Sequence, residues 1–319
     1  MENAKEKARL SLSQAAYDPH RLAAIHMAVA GAASLLTSLL SDLLDRGIAG
    51  TGGLSGIGFR AVLSSAQSLL SLAVTVLLPF WELGLVFAGM QLARGNEARP
   101  ATLLEGFRRF LPALRLYLLQ TLMYTGVIFA CVYAAYAIFM LTPFFQRTYE
   151  VLAPLLETAD SLVLDDATVQ AVLPTLVPLY VILALVLLVA AAPMYYRYRM
   201  ANYALLDGAG ARKSMGLSAL MMRGRRLSLL KVDLGFWWYY GLQLLVAAIA
   251  YGDTLLPAVG ISLPISETVS FWLFYGIYFA LRLLVAWKFA PLVQTAYAHC
   301  YDTYRQYAVP QSTDPTKTP

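Results

Sequence analysis

The chain has 319 residues, of which 59% are hydrophobic and 13% are charged, whereas about a quarter of the residues in an average soluble domain are charged. Its mean hydropathy is +0.60 and its pI is about 9.1. These values exclude an ordinary soluble domain. The apolar runs are continuous rather than alternating, and several reach the roughly 20 residues that a helix needs to cross a bilayer. The sequence therefore predicts an all-α polytopic membrane protein.

The apolar runs predict six transmembrane helices in a single membrane domain over residues 1–308. About 20 polar residues precede the first run, and no cleavage-like site follows it, so we expect this span to be retained rather than removed as a signal peptide. Residues 309–319 are rich in Pro and Thr and predict a disordered tail. The predicted spans lie at about 22–43, 61–92, 114–139, 176–196, 232–250 and 269–290.

The segments between the spans carry their own patterns. Residues 1–21, 101–111 and 212–231 predict amphipathic helices at the membrane surface, the second with Thr102 and Glu105 spaced as a capping box. We expect Gly224 to weaken the third of these helices modestly. The glycine-rich stretch 47–58 lacks the Lys-Ser/Thr ending of a phosphate-binding loop and predicts a turn. The acidic stretch 146–173 predicts a solvated surface.

The basic residues predict the orientation. Of the 24 Lys and Arg residues, 19 flank one side of the predicted membrane, and only Arg46, Arg60 and Arg147 flank the other. The positive-inside rule therefore predicts that both termini are cytoplasmic, in a bacterial plasma membrane. Because the charges lie beside the spans, they favour anionic lipid headgroups as partners and not nucleic acid.

Prolines suggest an internal repeat. Pro79, Pro193 and Pro291 each lie in an even-numbered span near its basic end, and helix-like sequence continues past each of them. We therefore predict three hairpin units, at residues 1–100, 101–211 and 212–308.

Three charged side chains fall well inside the predicted spans: Glu82, Arg282 and Lys288. Such charges cost at least a few kcal/mol in a bilayer unless they are paired or hydrated. One interpretation is an ion pair between the second and sixth spans, with Lys288 reaching the interface. The other is a substrate or proton site.

A second group of candidates joins the fourth and fifth spans and resembles a clamp for phosphate or lipid headgroups. The alternative is an aromatic belt with basic anchors. We expect the two aspartates of the group to pair with its own arginines. Its members are Tyr196, Arg197, Tyr198, Arg199, Tyr203, Asp207, Arg223, Arg225, Arg226 and Asp233.

Neither a cofactor nor a metal is predicted. The three histidines, His20, His26 and His299, are scattered, and Cys131 and Cys300 lack metal-ligand spacing. We expect His26 to be hydrogen-bonded within the helix packing. HExxH, GxSxG and Walker motifs are all missing from the sequence, which makes an enzyme the weaker class.

One set of residues resembles a known family. Pro193, the YRYRMANY run at 196–203, the MMRG turn at 221–224, and Asp233 before Phe236 and Trp237 are similar to segments of the bacterial integral membrane family called domain of unknown function 975. The runs at 92–98 and 291–301 also resemble that family, whereas Arg199 stands where a small polar residue is usual. The resemblance implies a helical membrane fold and no particular activity.

These observations leave two functional hypotheses. The first is a non-enzymatic scaffold, lipid-binding or envelope accessory protein, whose partner is lipid or a second membrane protein. The alternative is a transporter or flippase for an amphiphilic small molecule, with Glu82, Arg282 and Lys288 along its path.

Overall fold

A computed structural model describes residues 2–49, 54–158, 166–258 and 266–308 of the chain, and every regular element in these ranges is helical. The all-α prediction is therefore confirmed. The elements are α1 (Glu2–Ser13), α2 (Pro19–Ala49), α3 (Leu54–Ala93), a 3-10 turn (Pro100–Leu104), α4 (Glu105–Arg108), α5 (Phe110–Met140), α6 (Pro143–Thr158), α7 (Asp166–Tyr198), α8 (Ala201–Leu206), α9 (Ala211–Met221), α10 (Arg226–Gly235), α11 (Trp237–Ala250), α12 (Gly252–Ala258) and α13 (Glu267–Ala308).

Within the described ranges, five helices are long and apolar enough to cross a membrane, namely Pro19–Ser41, Ser64–Ala93, Phe110–Met140, Leu176–Leu206 and Val269–Ala308. They match five of the six predicted spans. The remaining prediction, 232–250, falls where α10 and α11 meet at an angle of 62°. Because the 14 residues of α11 cover only about 21 Å, less than the roughly 30 Å of hydrocarbon, a sixth crossing requires the bent pair.

The first difference from the prediction concerns the surface helix expected at 101–111. The Thr102 hydroxyl donates to the carbonyl of Arg99 at 2.6 Å, and the Glu105 carboxylate accepts from Arg109 at 3.1 Å, so the predicted capping box does not form. The segment is a 3-10 turn followed by the single helical turn of α4, and α5 already begins at Phe110. The amphipathic helix expected at 101–111 is therefore two short pieces.

The second difference concerns Gly224. Its φ is +74°, in the left-handed region that a residue without a Cβ adopts readily. The helix predicted over 212–231 therefore ends at Met221, and α10 begins afresh at Arg226. Gly224 interrupts the helix instead of merely weakening it.

Other predictions fall partly or wholly outside the described residues. The turn predicted over 47–58 is wrong for residues 47–49 and 54–58, because α2 runs to Ala49 and α3 begins at Leu54. Residues 50–53 lie outside the described ranges. The predicted tail at 309–319 lies outside them as well. In the acidic stretch, α6 continues to Thr158 and residues 159–165 are not described. The prediction that the last helix continues beyond Pro291 is confirmed, because α13 extends to Ala308.

The chain forms two compact units, one of residues 1–114 with 200–319 and the other of residues 115–199. In the first unit, α13 packs against α1, α2, α3 and α11. Small residues such as Ala23, Ala88 and Ala286 lie in its core and allow the helices to approach closely. In the second unit, Cys131, Ala135 and Phe139 form a buried stripe along α5, and α6 packs against α7. The three-hairpin repeat stays a prediction.

Two glycines bring the segment 100–108 against α3. A Cβ on Gly106 would overlap the carbonyl oxygen of Phe80, and a Cβ on Gly84 would overlap the carbonyl oxygen of Leu103. The backbones therefore touch directly at both positions, and the surface segment is held in a fixed place beside the end of the span.

We predict that Gly106→Ala lowers the free energy of unfolding by about 1 to 3 kcal/mol, the usual range for an overpacked site. The matched control is Gly216→Ala in α9, where nothing lies within 4 Å of the added Cβ and helix propensity favours Ala by about 1 kcal/mol. Thermal unfolding of both variants in neutral-lipid nanodiscs provides the comparison. A Gly106→Ala protein as stable as the parent would contradict the close approach.

Candidate functional site

Among the described residues, the densest cluster of charged contacts joins the ends of α3, α8 and α13. The Arg94 guanidinium donates to Asp207 at 3.0 Å and, through two of its nitrogens, to Asp302 at 2.7 and 3.2 Å. Asp207 also accepts from the Tyr301 hydroxyl at 3.0 Å and forms an ion pair with Arg305. We call these five residues the Arg94 network.

Local sequence explains how each member of the Arg94 network is placed. Arg94 directly follows α3, and Asp207 directly follows α8, where Gly208 at a φ of +98° ends the helix. Tyr301, Asp302 and Arg305 are within about one turn of each other on α13. We expected Asp207 to pair with arginines of its own segment, and this was wrong because its partners come from α3 and α13.

The Arg94 network is partly shielded from solvent, and its carboxylate oxygens all have partners. The Asp207 side chain is 15% exposed and that of Arg94 is 28% exposed, so these charge-assisted bonds are stronger than those of an open surface pair. Hydrogen bonds to Asp302 raise the pKa of Arg94 further above its usual range. All four oxygens of the two carboxylates are engaged. The network therefore clamps three helices together and does not offer a free base.

Asp233 secures the bend between α10 and α11. It accepts from the hydroxyl of Tyr297 on α13, which lies 2.6 Å from the Tyr240 hydroxyl on α11. At the bend itself, the Lys5 ammonium donates to the Gly235 carbonyl and lies 4.6 Å from the ring centroid of Phe236. Asp233 thus has a structural role that joins α10, α11 and α13.

The tyrosines and arginines of the predicted headgroup clamp, residues 196–203, are distributed over both units. In the second unit, the Arg199 guanidinium carbon lies 5.1 Å from the Tyr195 ring centroid, and Arg197 lies 5.4 Å from that of Tyr198. Tyr196 packs edge-on against Tyr195 with ring centroids 5.4 Å apart. In the first unit, Tyr203 stacks on Tyr301 at 5.6 Å. Cation–π contacts of this kind suit an aromatic anchor at an interface, and the headgroup clamp stays a prediction.

The three arginines around Gly224 differ in their surroundings. Arg225 lies 4.1 Å from the ring centroid of Tyr307 and its guanidinium donates to the Met221 carbonyl at 3.5 Å. Arg223 is exposed and Arg226 is half-buried. Side-chain packing on Tyr307 therefore holds Arg225 against α13.

Arg282 lines a cavity of about 370 Å³ among α2, α3, α11 and α13. Its guanidinium donates to the Tyr278 hydroxyl at 2.6 Å. Glu82 is exposed on α3, and the ion pairs of the described residues do not include the expected pair between Glu82 and Arg282 or Lys288. The remaining walls are mainly apolar and aromatic, including Met27, Gly31, Leu78, Ala247, Phe271 and Phe279.

A second cavity, which we call the Lys288 pocket, lies between α1, α2 and α13 and has a volume of about 530 Å³. Arg9, His20, Trp287 and Lys288 line it. A ring nitrogen of His20 lies 2.9 Å from the Trp287 carbonyl, and Lys288 lies 5.6 Å from the ring centroid of Phe289. The sequence did not single out Arg9 or His20 for a site, although the basic pattern of residues 1–21 was the available signal.

His26 has the packing role that the sequence predicts. Its Nε2 lies 3.2 Å from the Trp81 carbonyl, and the Trp81 indole donates to the His26 carbonyl at 2.8 Å. The two rings stack with centroids 5.4 Å apart. Among the described residues, no group of three or more His, Cys, Asp or Glu side chains is placed to hold a metal ion.

Comparison with known proteins adds no further identification. No family model, curated protein or solved structure matches the chain. The similarity to domain of unknown function 975 therefore stays a prediction, and functional inference depends on the two cavities and on the charges around them.

We predict that Arg94→Ala lowers the free energy of unfolding by about 2 to 4 kcal/mol. The change removes several charge-assisted bonds, each worth about 1.5 to 3 kcal/mol before relaxation. It also takes from Asp302 the arginine that binds both of its oxygens, whereas Asp207 keeps its other two partners. The control is Arg99→Ala, which removes a pair with Glu97 in which the arginine side chain is 72% exposed and which contributes at most about 1 kcal/mol. Thermal unfolding in nanodiscs compares the two. Equal effects would show that the Arg94 network does not stabilise the fold.

Proposed function

We propose that the protein is a non-enzymatic membrane protein of the bacterial cytoplasmic membrane, with cytoplasmic termini, that binds anionic lipid headgroups at its basic side. The proposed site is the Lys288 pocket. The observation that carries the proposal is that Arg9 and Lys288 line the same cavity as His20 and Trp287, a combination of cations and an indole ring that suits the headgroup level of a bilayer.

The position of the Lys288 pocket along α13 agrees with this proposal. α13 has 42 residues and is therefore about 63 Å long, roughly twice the hydrocarbon thickness. Its apolar part ends near Lys288 and Pro291, and the segment beyond contains His299, Asp302 and Arg305. Lys288 and Trp287 therefore lie where the apolar part of the helix gives way to the polar part.

The proposed site also connects two elements. Arg9 belongs to α1, whereas Trp287 and Lys288 belong to α13, and α1 packs directly along α13. A headgroup that contacts both cations would hold α1 against the membrane surface. This supports a scaffold role, in which bound lipid fixes the surface that the basic side presents to a second membrane protein.

We predict that the double variant Arg9→Gln with Lys288→Gln binds phosphatidylglycerol roughly 30-fold more weakly than the parent, from about 1 kcal/mol for each basic side chain near an anionic surface. The measurement is titration of the full-length protein in neutral detergent micelles with short-chain phosphatidylglycerol, followed by native mass spectrometry.

The matched control is Arg21→Gln. Arg21 is a basic residue of the same side, 77% exposed and paired with Asp18, and it does not line the Lys288 pocket. It should leave the affinity within twofold of the parent. If the double variant retained the parent affinity, or if Arg21→Gln lost as much, binding would depend on overall charge and the proposed site would be wrong.

The cavity beside Arg282 favours transport of an anionic amphiphile as a second candidate function. Tyr278 satisfies one donor of the guanidinium but is neutral, and the Glu82 carboxylate attracts Arg282 only from beyond ion-pair distance. The remaining donors of the guanidinium can therefore bind water or an anion. Apolar and aromatic walls around this single cation match a ligand with an anionic group and an apolar body.

We predict under this second function that proteoliposomes containing the parent protein exchange fluorescently labelled phosphatidylglycerol between leaflets faster than protein-free liposomes, and that Arg282→Gln abolishes the difference. Arg21→Gln serves as the control, because Arg21 is exposed and lines neither this cavity nor the Lys288 pocket, and it should retain the rate. The readout is dithionite quenching of the label. Absence of any acceleration by the parent protein would exclude transport of this lipid.

A further inference from the structure

A third cavity lies further along α13, away from the Lys288 pocket. Its volume is about 530 Å³, and it is walled by α1, α10 and the last part of α13. Lys7 comes from α1, Ser228 and Lys231 come from α10, and His299 and Thr303 come from α13. We call it the Lys7–Lys231 pocket.

The lining of this pocket is positively charged, and its charged groups are accessible to solvent. Its lining residues include two lysines and no carboxylate, and both lysine residues are exposed. Three acidic residues are immediate neighbours of lining residues along the chain. Asp302 is bonded to Arg94, and Asp233 accepts from Tyr297. Glu6 is exposed on α1 and does not line the pocket. The ammonium groups are therefore free to meet an anion from solution.

The walls of the pocket are held in place. The Ser11 hydroxyl lies 3.0 Å from Nε2 of His299, and this contact joins α1 to α13. Lys5 is fixed at the α10–α11 bend by its bond to the Gly235 carbonyl. The backbone that carries Lys7 is thus tied to both other walls, which reduces the ordering required when a ligand binds.

We propose that the Lys7–Lys231 pocket binds the phosphate group of a phosphate monoester. Two ammonium groups match the double negative charge of such a group, for which lysine acts as a point-charge partner, and the Ser228 hydroxyl adds a donor at the same wall. The buried side chains of Val232, Cys300 and Tyr304 form an apolar floor that suits the organic part of the ester.

The position of the pocket favours a water-soluble ligand. Thr303 lies 12 residues beyond Pro291, which corresponds to about 18 Å of helix. The Lys288 pocket is at the end of the apolar part of α13, so the Lys7–Lys231 pocket is further from the hydrocarbon than a headgroup bound at Lys288. This inference does not depend on the proposed lipid function.

The test uses the full-length protein in neutral phosphatidylcholine nanodiscs, titrated with glycerol phosphate or inorganic phosphate and followed by isothermal titration calorimetry. We expect saturable binding of glycerol phosphate, at least tenfold weaker in Lys7→Gln and in Lys231→Gln. Lys231→Arg should retain binding because it keeps the charge. Lys213→Gln, a change on α9 outside the pocket, should have no effect.

A second titration uses nanodiscs that contain phosphatidic acid, in which the same phosphate chemistry is presented by a lipid. Lysine-dependent association with phosphatidic acid, without binding of the soluble probes, would support a phosphate site and assign its ligand to the membrane. Failure of all three probes, or equal losses in Lys213→Gln and Lys231→Gln, would overturn the proposal. Binding of phosphatidylglycerol at the Lys288 pocket is measured in a separate titration, so the two proposals can be contradicted independently.

Discussion

The basic side of the first unit depends on one guanidinium bonded to two carboxylates. Arg94 follows the second predicted span, Asp207 ends α8, and Asp302 belongs to α13, and the bonds at 2.7 to 3.2 Å bring these three elements to one point. Because arginine stays charged and presents a rigid fork of donors, it can bind both carboxylates at once in a way that lysine cannot. The Lys288 pocket and the Lys7–Lys231 pocket are both lined in part by α13, and the bonds to Arg94 fix the position of that helix.

Beyond Pro291, α13 serves as a platform for the surface elements. Tyr297 meets Asp233 beside the α10–α11 bend, His299 meets Ser11 on α1, and Tyr307 packs under Arg225. Each contact joins a different surface element to the same helix. The two basic pockets arise as the spaces left between these contacts, which explains why both contain a residue from α1 and a residue from α13.

The spans could be predicted because a long apolar run is a local property, whereas the contacts between them could not. The bonds from Arg94 to Asp207 and to Asp302 join residues 113 and 208 positions apart, and a sequence pattern carries no information about such pairs. Local spacing therefore favoured the wrong partners for Asp207. The sequence pattern assigns Lys7 and Lys231 only to the orientation signal, because the two lysines are 224 positions apart and no local spacing connects them. The prediction that His26 is hydrogen-bonded within the helix packing is confirmed, because a buried polar side chain requires a hydrogen-bond partner nearby.

Arg282 and Lys288 show why a charge in a predicted span is not yet a site. They are six residues apart on α13, or about 9 Å along the axis and about 120° around it. Lys288 lies at the end of the apolar stretch, where a long side chain can reach the interface without a partner. Arg282 is deeper, and its bond to Tyr278 satisfies a donor without neutralising the charge. The Glu82 carboxylate on α3 attracts Arg282 electrostatically, but the two do not form an ion pair among the described contacts. The guanidinium therefore keeps donors that water or an anion in the adjoining cavity can satisfy, and this distinguishes Arg282 from Lys288.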